Sequence, residues 1–321
     1  MPDLTRLKQP NAKRATKAVE IVVSIGSAIG IAVLSCWMAP PAMAQRIEGI
    51  TTFGDSLVDN GNVFQVTGQR FPPNPLYFSG RFSNGPVWVE NIAAKLGVTK
   101  TSSNFAFGGA TSGTFNTIDP NLPGLTTQLD RFFQSSPKIS SARLVVISAG
   151  ANDYLGGKQS NPVVTVGNLS TALQRLIDAG ATQLMVPNLP DLGINPASAT
   201  NPSQRQRLTE LSTVHNRLLK ASLATLSQKN PQISIIAIDM QALFSKVVAN
   251  PAKFGLTNVT EPCFNRALGT VCAKPNSFLF WDELHPTAAA YQILAKYTLT
   301  TIRSNARVGL NSQAKGVLNP S

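Results

Sequence analysis

Short apolar runs that each end in a glycine or a polar loop alternate along this chain with longer stretches of helical period. That alternation constrains the fold more than any other feature. Runs with strand character lie near residues 47–53, 144–148, 183–186 and 233–238, with a shorter one around 104–107. Apolar residues recur at helical spacing over 87–96, 166–179, 203–228 and 241–248. Strands alternating with helices predict a mostly parallel sheet covered on both faces, a three-layer α/β/α sandwich with ligand sites at the strands' carboxyl ends. No internal repeat or long low-complexity linker interrupts the pattern, so one domain is expected over 45–302. Residues 303–321 are polar and lack an apolar period, and are expected to form a loose tail.

The first strand delivers a serine to such an edge. Ile47, Ile50 and Phe53 lead into Gly54, which lets the backbone turn sharply, and Ser56 follows two residues later. A serine hydroxyl needs a base, and the base needs a carboxylate to fix its tautomer. WDELHP, residues 281–286, supplies Asp282 and His285 three positions apart, with Pro286 suited to the first turn of the helix that follows. The chain has two histidines. His215 shares a helix face with Leu208, Leu211 and Leu218, the position of a half-buried structural residue, which leaves His285 as the base.

Two further loops offer donors for an oxyanion. NFAFGGATSG, residues 104–113, places Gly108 and Gly109 after a short apolar segment, where a backbone N–H can approach a substrate unobstructed. GANDYL, residues 150–155, follows the strand at 144–148 and presents the Asn152 side-chain amide. Taken singly, each is an ordinary turn.

FGDSL, FAFGGAT, GANDY and DELHP, in that order, resemble the four motif blocks of the GDSL or SGNH hydrolases, a family of esterases and lipases. GRFSNGPVWVENIA, residues 80–93, is similar to the segment that follows the first block in many bacterial and plant members. The resemblance spans roughly residues 50–297. It implies a flavodoxin-like sandwich, Ser56 as nucleophile with Asp282 and His285 as partners, and an oxyanion hole of the Ser56 N–H, a glycine N–H and Asn152. Two adjacent glycines leave two positions open for the donor; Gly108 is favoured, with Gly109 as the alternative. No cofactor or metal is implied. No serine lies in a G-x-S-x-G elbow, which argues against the α/β-hydrolase superfamily.

The amino terminus has the form of a secretory leader. Arg6, Lys8, Lys13, Arg14 and Lys17 precede an apolar stretch from 21 to 38 and then Ala42-Met43-Ala44. Cleavage after residue 44 is expected to give an exported chain beginning at Gln45, the alternative being a retained membrane anchor. A lipid link at Cys36 is disfavoured by Leu34 and Ser35. Removal of the leader leaves Cys263 and Cys272, an even pair expected to form a disulfide in an oxidising compartment. The leader's five basic and two acidic residues account for three of the net +12, leaving about +9. The remaining basic residues are scattered, as on a solvated face, which is compatible with peripheral contact with anionic surfaces. No basic cluster interleaves with aromatics, so nucleic acid is excluded as a partner, and no obligate protein partner is evident.

The expected substrate is a small-molecule or lipid ester. Phe64, Phe71, Pro72, Pro73, Tyr77 and Phe78 form an apolar segment soon after the nucleophile, to be weighed as an acyl pocket or as plain packing. An acyltransferase or a carbohydrate acetylesterase would use the same triad. A noncatalytic binding protein would be marked by a missing motif residue, and none is missing.

Overall fold

Strands form where β-branched and apolar residues alternate between two buried faces. In the computed structural model, which describes residues 46–317 with side chains through 305, these are β1 (Gly49–Gly54), β2 (Ser103–Asn104), β3 (Arg143–Ser148), β4 (Gln183–Pro187) and β5 (Ser234–Ile238). The leader expected at 1–44 lies outside the described residues. All five strands pair in parallel in the order β2-β1-β3-β4-β5. This is the flavodoxin-like order, whose switch point lies between β1 and β3.

Successive strand residues feed opposite cores. Ile50, Leu144, Val146, Met185 and Ile236 pack with Trp88, Ile92, Leu243, Phe244 and Tyr291. These come from α2 (Trp88–Leu96), α7 (Met240–Ala249) and α8 (Ala288–Val317). Phe53, Val145, Ile147 and Leu184 pack on the other face against Leu125, Leu129, Leu169, Leu173 and Leu219, from α3 (Leu125–Ser135), α5 (Pro162–Asp178) and α6 (Pro202–Lys229). Short α1 (Asn62–Val66) and α4 (Ala151–Leu155) follow β1 and β3. The three-layer expectation holds.

The helix ends follow local chemistry. Asn161 and Asn201 cap α5 and α6 by accepting backbone N–H groups of Val163 and Gln204, each with proline at the first helical position. The Glu90 carboxylate accepts the Val87 N–H at the start of α2, and Gly97 at φ 73° ends that helix.

Several elements differ from the sequence expectation. The run at 104–107 contributes only the two residues of β2. Helix α3 was not anticipated, although Leu125, Leu129 and Phe132 have helical spacing. A small subdomain precedes α8: β6 (Asn258–Pro262) pairs with β9 (Phe278–Phe280) around a hairpin of β7 (Phe264–Asn265) and β8 (Thr270–Val271). Beyond Ile302, where a loose tail was expected, α8 continues to Val317. No proline lies between Pro286 and Pro320, so no residue of this stretch lacks the N–H that helix continuation uses. Among the described residues no helix is long and apolar enough to cross a membrane.

Candidate active site

The turn after β1 is held from three sides. Gly54 has φ 145°, and a Cβ there would lie 2.0 Å from the Ser148 carbonyl oxygen, so only glycine lets β1 run this close to the end of β3. Asp55 N–H donates to Ser148 O at 3.0 Å and Phe107 N–H to Gly54 O at 3.0 Å. Gln128 on α3 pairs its side-chain amide with both polar groups of Gly54. Ser56 emerges from this turn at the switch point of the sheet, largely buried.

The second motif loop is tied to the first. Asp59, fully buried, accepts the N–H groups of Gly61 and Asn62 on one oxygen and that of Gly108 on the other, at 2.9 Å. Asn62 donates to the carbonyls of Asn104 and Ala106. The Gly108 N–H, favoured from the sequence as an oxyanion donor, is thus engaged by a carboxylate. The N–H groups of Gly109 and Ser56 have no acceptor among the described residues. Gly109 sits at φ 77°, and a Cβ there would meet Asn116 Oδ1 at 2.5 Å.

Asn152 stands in the first turn of α4, after Gly150 at φ 118°. Its Nδ2 donates one hydrogen to Ala110 O at 3.1 Å, leaving the other. Neighbouring Asp153 is buried and accepts from Ser112 N–H, Ser112 Oγ and Thr165 Oγ1, which locks α4 to the second loop. Burial raises the Asp153 pKa.

The loop between β9 and α8 brings in the remaining pair. His285 Nε2 lies 2.9 Å from Ser56 Oγ, and its Nδ1 lies 2.8 and 2.9 Å from the two Asp282 carboxylate oxygens. The network assigns the proton to Nδ1 and the free lone pair to Nε2. Trp281 N–H closes the loop on His285 O at 2.7 Å. Helix α8 begins at Ala288, two residues beyond Pro286, and Thr287 Oγ1 accepts the Ala290 N–H. The GRFSN segment has a definite task here: Ser83 Oγ donates to Pro286 O and Asn84 Oδ1 accepts Ala288 N–H. The Phe82 ring lies 5.2 Å from the imidazole, centre to centre.

Sequence reasoning missed two residues on Asp282. Tyr77 donates its hydroxyl to Asp282 Oδ2 at 2.7 Å, and Arg266 Nη2 donates to the same oxygen at 2.7 Å. Although burial alone would raise it, the Asp282 pKa is driven below the usual carboxylate range by His285, Tyr77 and Arg266. Cys263 and Cys272 form the expected disulfide, closing the hairpin that carries Arg266. Asp55, beside Ser56, is also buried, and desolvation pushes its pKa up to about 7. His215 is fully buried, bonded through Nδ1 to Tyr154 OH at 2.9 Å, and desolvation lowers its pKa to about 4. It stands away from the triad as a core residue.

Ser56, Asn152 and His285 line one cleft of ≈ 600 Å³, open solvent at its mouth included. Its apolar walls are Leu57, Leu155, Ile194, Met240, Phe244 and Leu284. The segment from Phe64 to Phe78 does not line it. Phe64 packs beneath Gly80, Tyr77 is spent on Asp282, Phe71 covers Phe82, and Phe78 faces solvent. Among the described residues no group of three or more His, Cys, Asp or Glu could hold a metal ion.

Residues 50–298 match the family model described as GDSL-like lipase/acylhydrolase. The chain is 29% identical over 307 residues to a phosphatidylcholine-sterol acyltransferase of Aeromonas hydrophila, covering 79% of this chain and 90% of that protein. It is 30% identical over 287 residues to the thermolabile hemolysin of Vibrio parahaemolyticus, covering 82% of this chain and 66% of the hemolysin. Among solved structures, the acetylxylan esterase Axe2 of Geobacillus stearothermophilus aligns with a TM-score of 0.46 and 16% identity, over 81% of this chain and 96% of that one.

Proposed function

The chain belongs to the GDSL-like lipase/acylhydrolase family and is a carboxylic ester hydrolase, and on that premise we propose that its reaction runs through an acyl-enzyme on Ser56. The supporting observation is the unbroken relay from Ser56 Oγ through the imidazole to the Asp282 carboxylate. His285 Nε2 takes the hydroxyl proton as Oγ attacks the ester carbonyl, and Asp282 stabilises the imidazolium. The oxyanion is held by the Ser56 N–H, the Gly109 N–H and the second hydrogen of Asn152 Nδ2. The imidazolium then protonates the departing alkoxide. In the second half, His285 takes a proton from water, which attacks the acyl-enzyme; the imidazolium then returns that proton to Ser56 Oγ as the Oγ–acyl bond breaks and the acid leaves.

The acyl group is assigned to the apolar cleft beside Ser56. Chain length is read from p-nitrophenyl esters from acetyl to palmitoyl, comparing the full chain with Ser56→Ala. Hydrolysis that persists in the variant would remove Ser56 from the reaction.

A second reading, transfer of the acyl group to an alcohol, is favoured by the similarity to an acyltransferase. It is tested by adding an alcohol and separating ester product from free acid. Water in the cleft decides the partition between the two.

Export through a leader cleaved after residue 44, with a hydrolase domain over 45–302, is proposed from the sequence and supported by the disulfide at 263–272. Amino-terminal sequencing that begins at Gln45 is the expected result. The basic balance further suggests that anionic lipid surfaces attract the protein, an effect that added salt would weaken.

A further inference from the structure

The Asp282 carboxylate carries more bonds than orientation of an imidazole needs. Oδ1 accepts the backbone N–H groups of Leu284 and His285, at 2.9 and 2.8 Å, together with the imidazole Nδ1. Oδ2 accepts Tyr77 OH and Arg266 Nη2. Both oxygens are therefore fixed and the carboxylate cannot turn. Asp282 is fully buried, and a buried carboxylate without a positive partner is costly. With His285 neutral, the cation that touches it is Arg266.

Arg266 is itself prepared for this contact. It lies in the connection between β7 and β8, inside the loop closed by Cys263 and Cys272. Its Nη2 also meets Tyr77 OH at 2.7 Å, its guanidinium sits 5.8 Å from the Tyr77 ring centre, and its Nε reaches Glu283 Oε2 at 3.2 Å. Tyr77, Cys263, Phe264 and Trp281 form a separate buried cluster beneath it. This ties the hairpin to the histidine loop.

We propose that Arg266 and Tyr77 act as a clamp on Asp282, positioning residues that fix the carboxylate and offset its charge so that His285 stays free to accept a proton. The inference rests on the reading of Ser56, His285 and Asp282 as the reacting relay. Without the guanidinium the imidazolium becomes the carboxylate's only cationic partner, and the imidazole keeps its proton to higher pH. The other groups bearing on the imidazole are Asp55 after β1, Glu283 in its own loop, and Tyr291 on α8, whose hydroxyl faces Asp55 and Asp282. Asp55 and Glu283 both favour the imidazolium, so Arg266 opposes them and the sign of its removal is set.

The test compares pH profiles of kcat/KM for the full chain, Arg266→Gln, Arg266→Lys, Tyr77→Phe and Glu283→Gln on p-nitrophenyl butyrate. One charge at this range shifts a neighbour by about 0.5–1 pH unit when half exposed. Arg266→Gln is expected to move the acid limb up by that amount, with kcat reduced and KM little changed. Arg266→Lys restores the limb. Glu283→Gln moves it down by a smaller step. An Arg266→Gln limb that coincides with the wild type overturns the clamp, as does a loss of kcat with no movement of the limb. If Arg266→Gln fails to fold, Tyr77→Phe carries the test, expected to move the limb in the same direction by less; an unmoved limb there overturns the clamp too.

A second readout needs no turnover. The chain has two histidines, and His215 titrates near 4 by its burial. The His285 signal in proton NMR is identified by its loss in His285→Gln, and its titration should move up in Arg266→Gln. Movement of this signal in a protein that cleaves no ester would preserve the clamp while refuting the hydrolase reading.

Discussion

Gln128 grips the Gly54 peptide on both sides: its Oε1 accepts the Gly54 N–H at 2.9 Å and its Nε2 donates to the Gly54 carbonyl at 2.8 Å. The nucleophile stands two residues beyond, so a side chain on α3 sets where the Ser56 turn lies. Gln128 is 2% exposed, and Gln128→Leu leaves those Gly54 groups without their amide partner. Loss of about 2 kcal/mol is expected in denaturant unfolding. A reduced kcat on p-nitrophenyl butyrate should accompany it. Unchanged kcat would mean that the turn is fixed without this residue.

Asn152→Ala removes one proposed oxyanion donor while Asp153 still ties α4 to the second loop. The variant should fold, with kcat down on the order of 100- to 1000-fold and KM little changed. Circular dichroism and initial rates measure both. A fold intact with full turnover would exclude the amide from the hole.

Asp55 and His215 work against each other in the pH dependence of stability. The folded Asp55 pKa is raised to about 7, so as pH rises from about 4 to 7 the unfolded chain releases a proton that the folded one keeps, and stability falls. For His215 the folded pKa is lowered to about 4, so stability rises over about 4 to 6.5. Asp55→Asn keeps an acceptor for the Leu57 N–H and removes the first contribution. Its Tm should gain on the wild type progressively from pH 4 to 7 and then hold a constant lead. A lead independent of pH would show that Asp55 does not carry the charge penalty.

Phe244 on α7 forms part of the apolar wall of the cavity. Phe244→Leu should deepen it at moderate cost in stability and raise the ratio of kcat/KM for octanoate over butyrate. The substitution frees space for about one methylene, and at about 0.8 kcal/mol this sets an upper scale of roughly fourfold. A ratio that stays fixed while both rates fall would place the acyl chain elsewhere.

Much of this site was legible because its parts lie in short local motifs. Gly54 and Ser56 follow a strand, Asn152 follows another, and Asp282 and His285 share one loop, so a parallel sheet brings these loops to one edge, and the resemblance to the GDSL hydrolases implies their roles. The choice between Gly108 and Gly109 was not legible, because it turns on Asp59 reaching 49 residues along the chain to occupy one N–H. Arg266 and Tyr77 were hidden for the same reason: they are 189 residues apart, in segments whose composition suggests only loop and packing. Polar periodicity failed for α8 beyond Ile302, where the helix goes on without a buried stripe in its sequence. The subsheet of β6 and β9 escaped because its strands are short and only partly buried.

The proposed mechanism makes Ser56 the residue that is acylated. Incubation of the full chain with a fluorophosphonate, followed by proteolysis and mass spectrometry of the modified peptide, tests it without any assumption about the natural ester. One phosphonyl adduct per chain is expected, on Ser56, formed much more slowly in His285→Ala and absent from Ser56→Ala. A stoichiometric adduct on another residue, or labelling of Ser56 that proceeds at the same rate without His285, would contradict it.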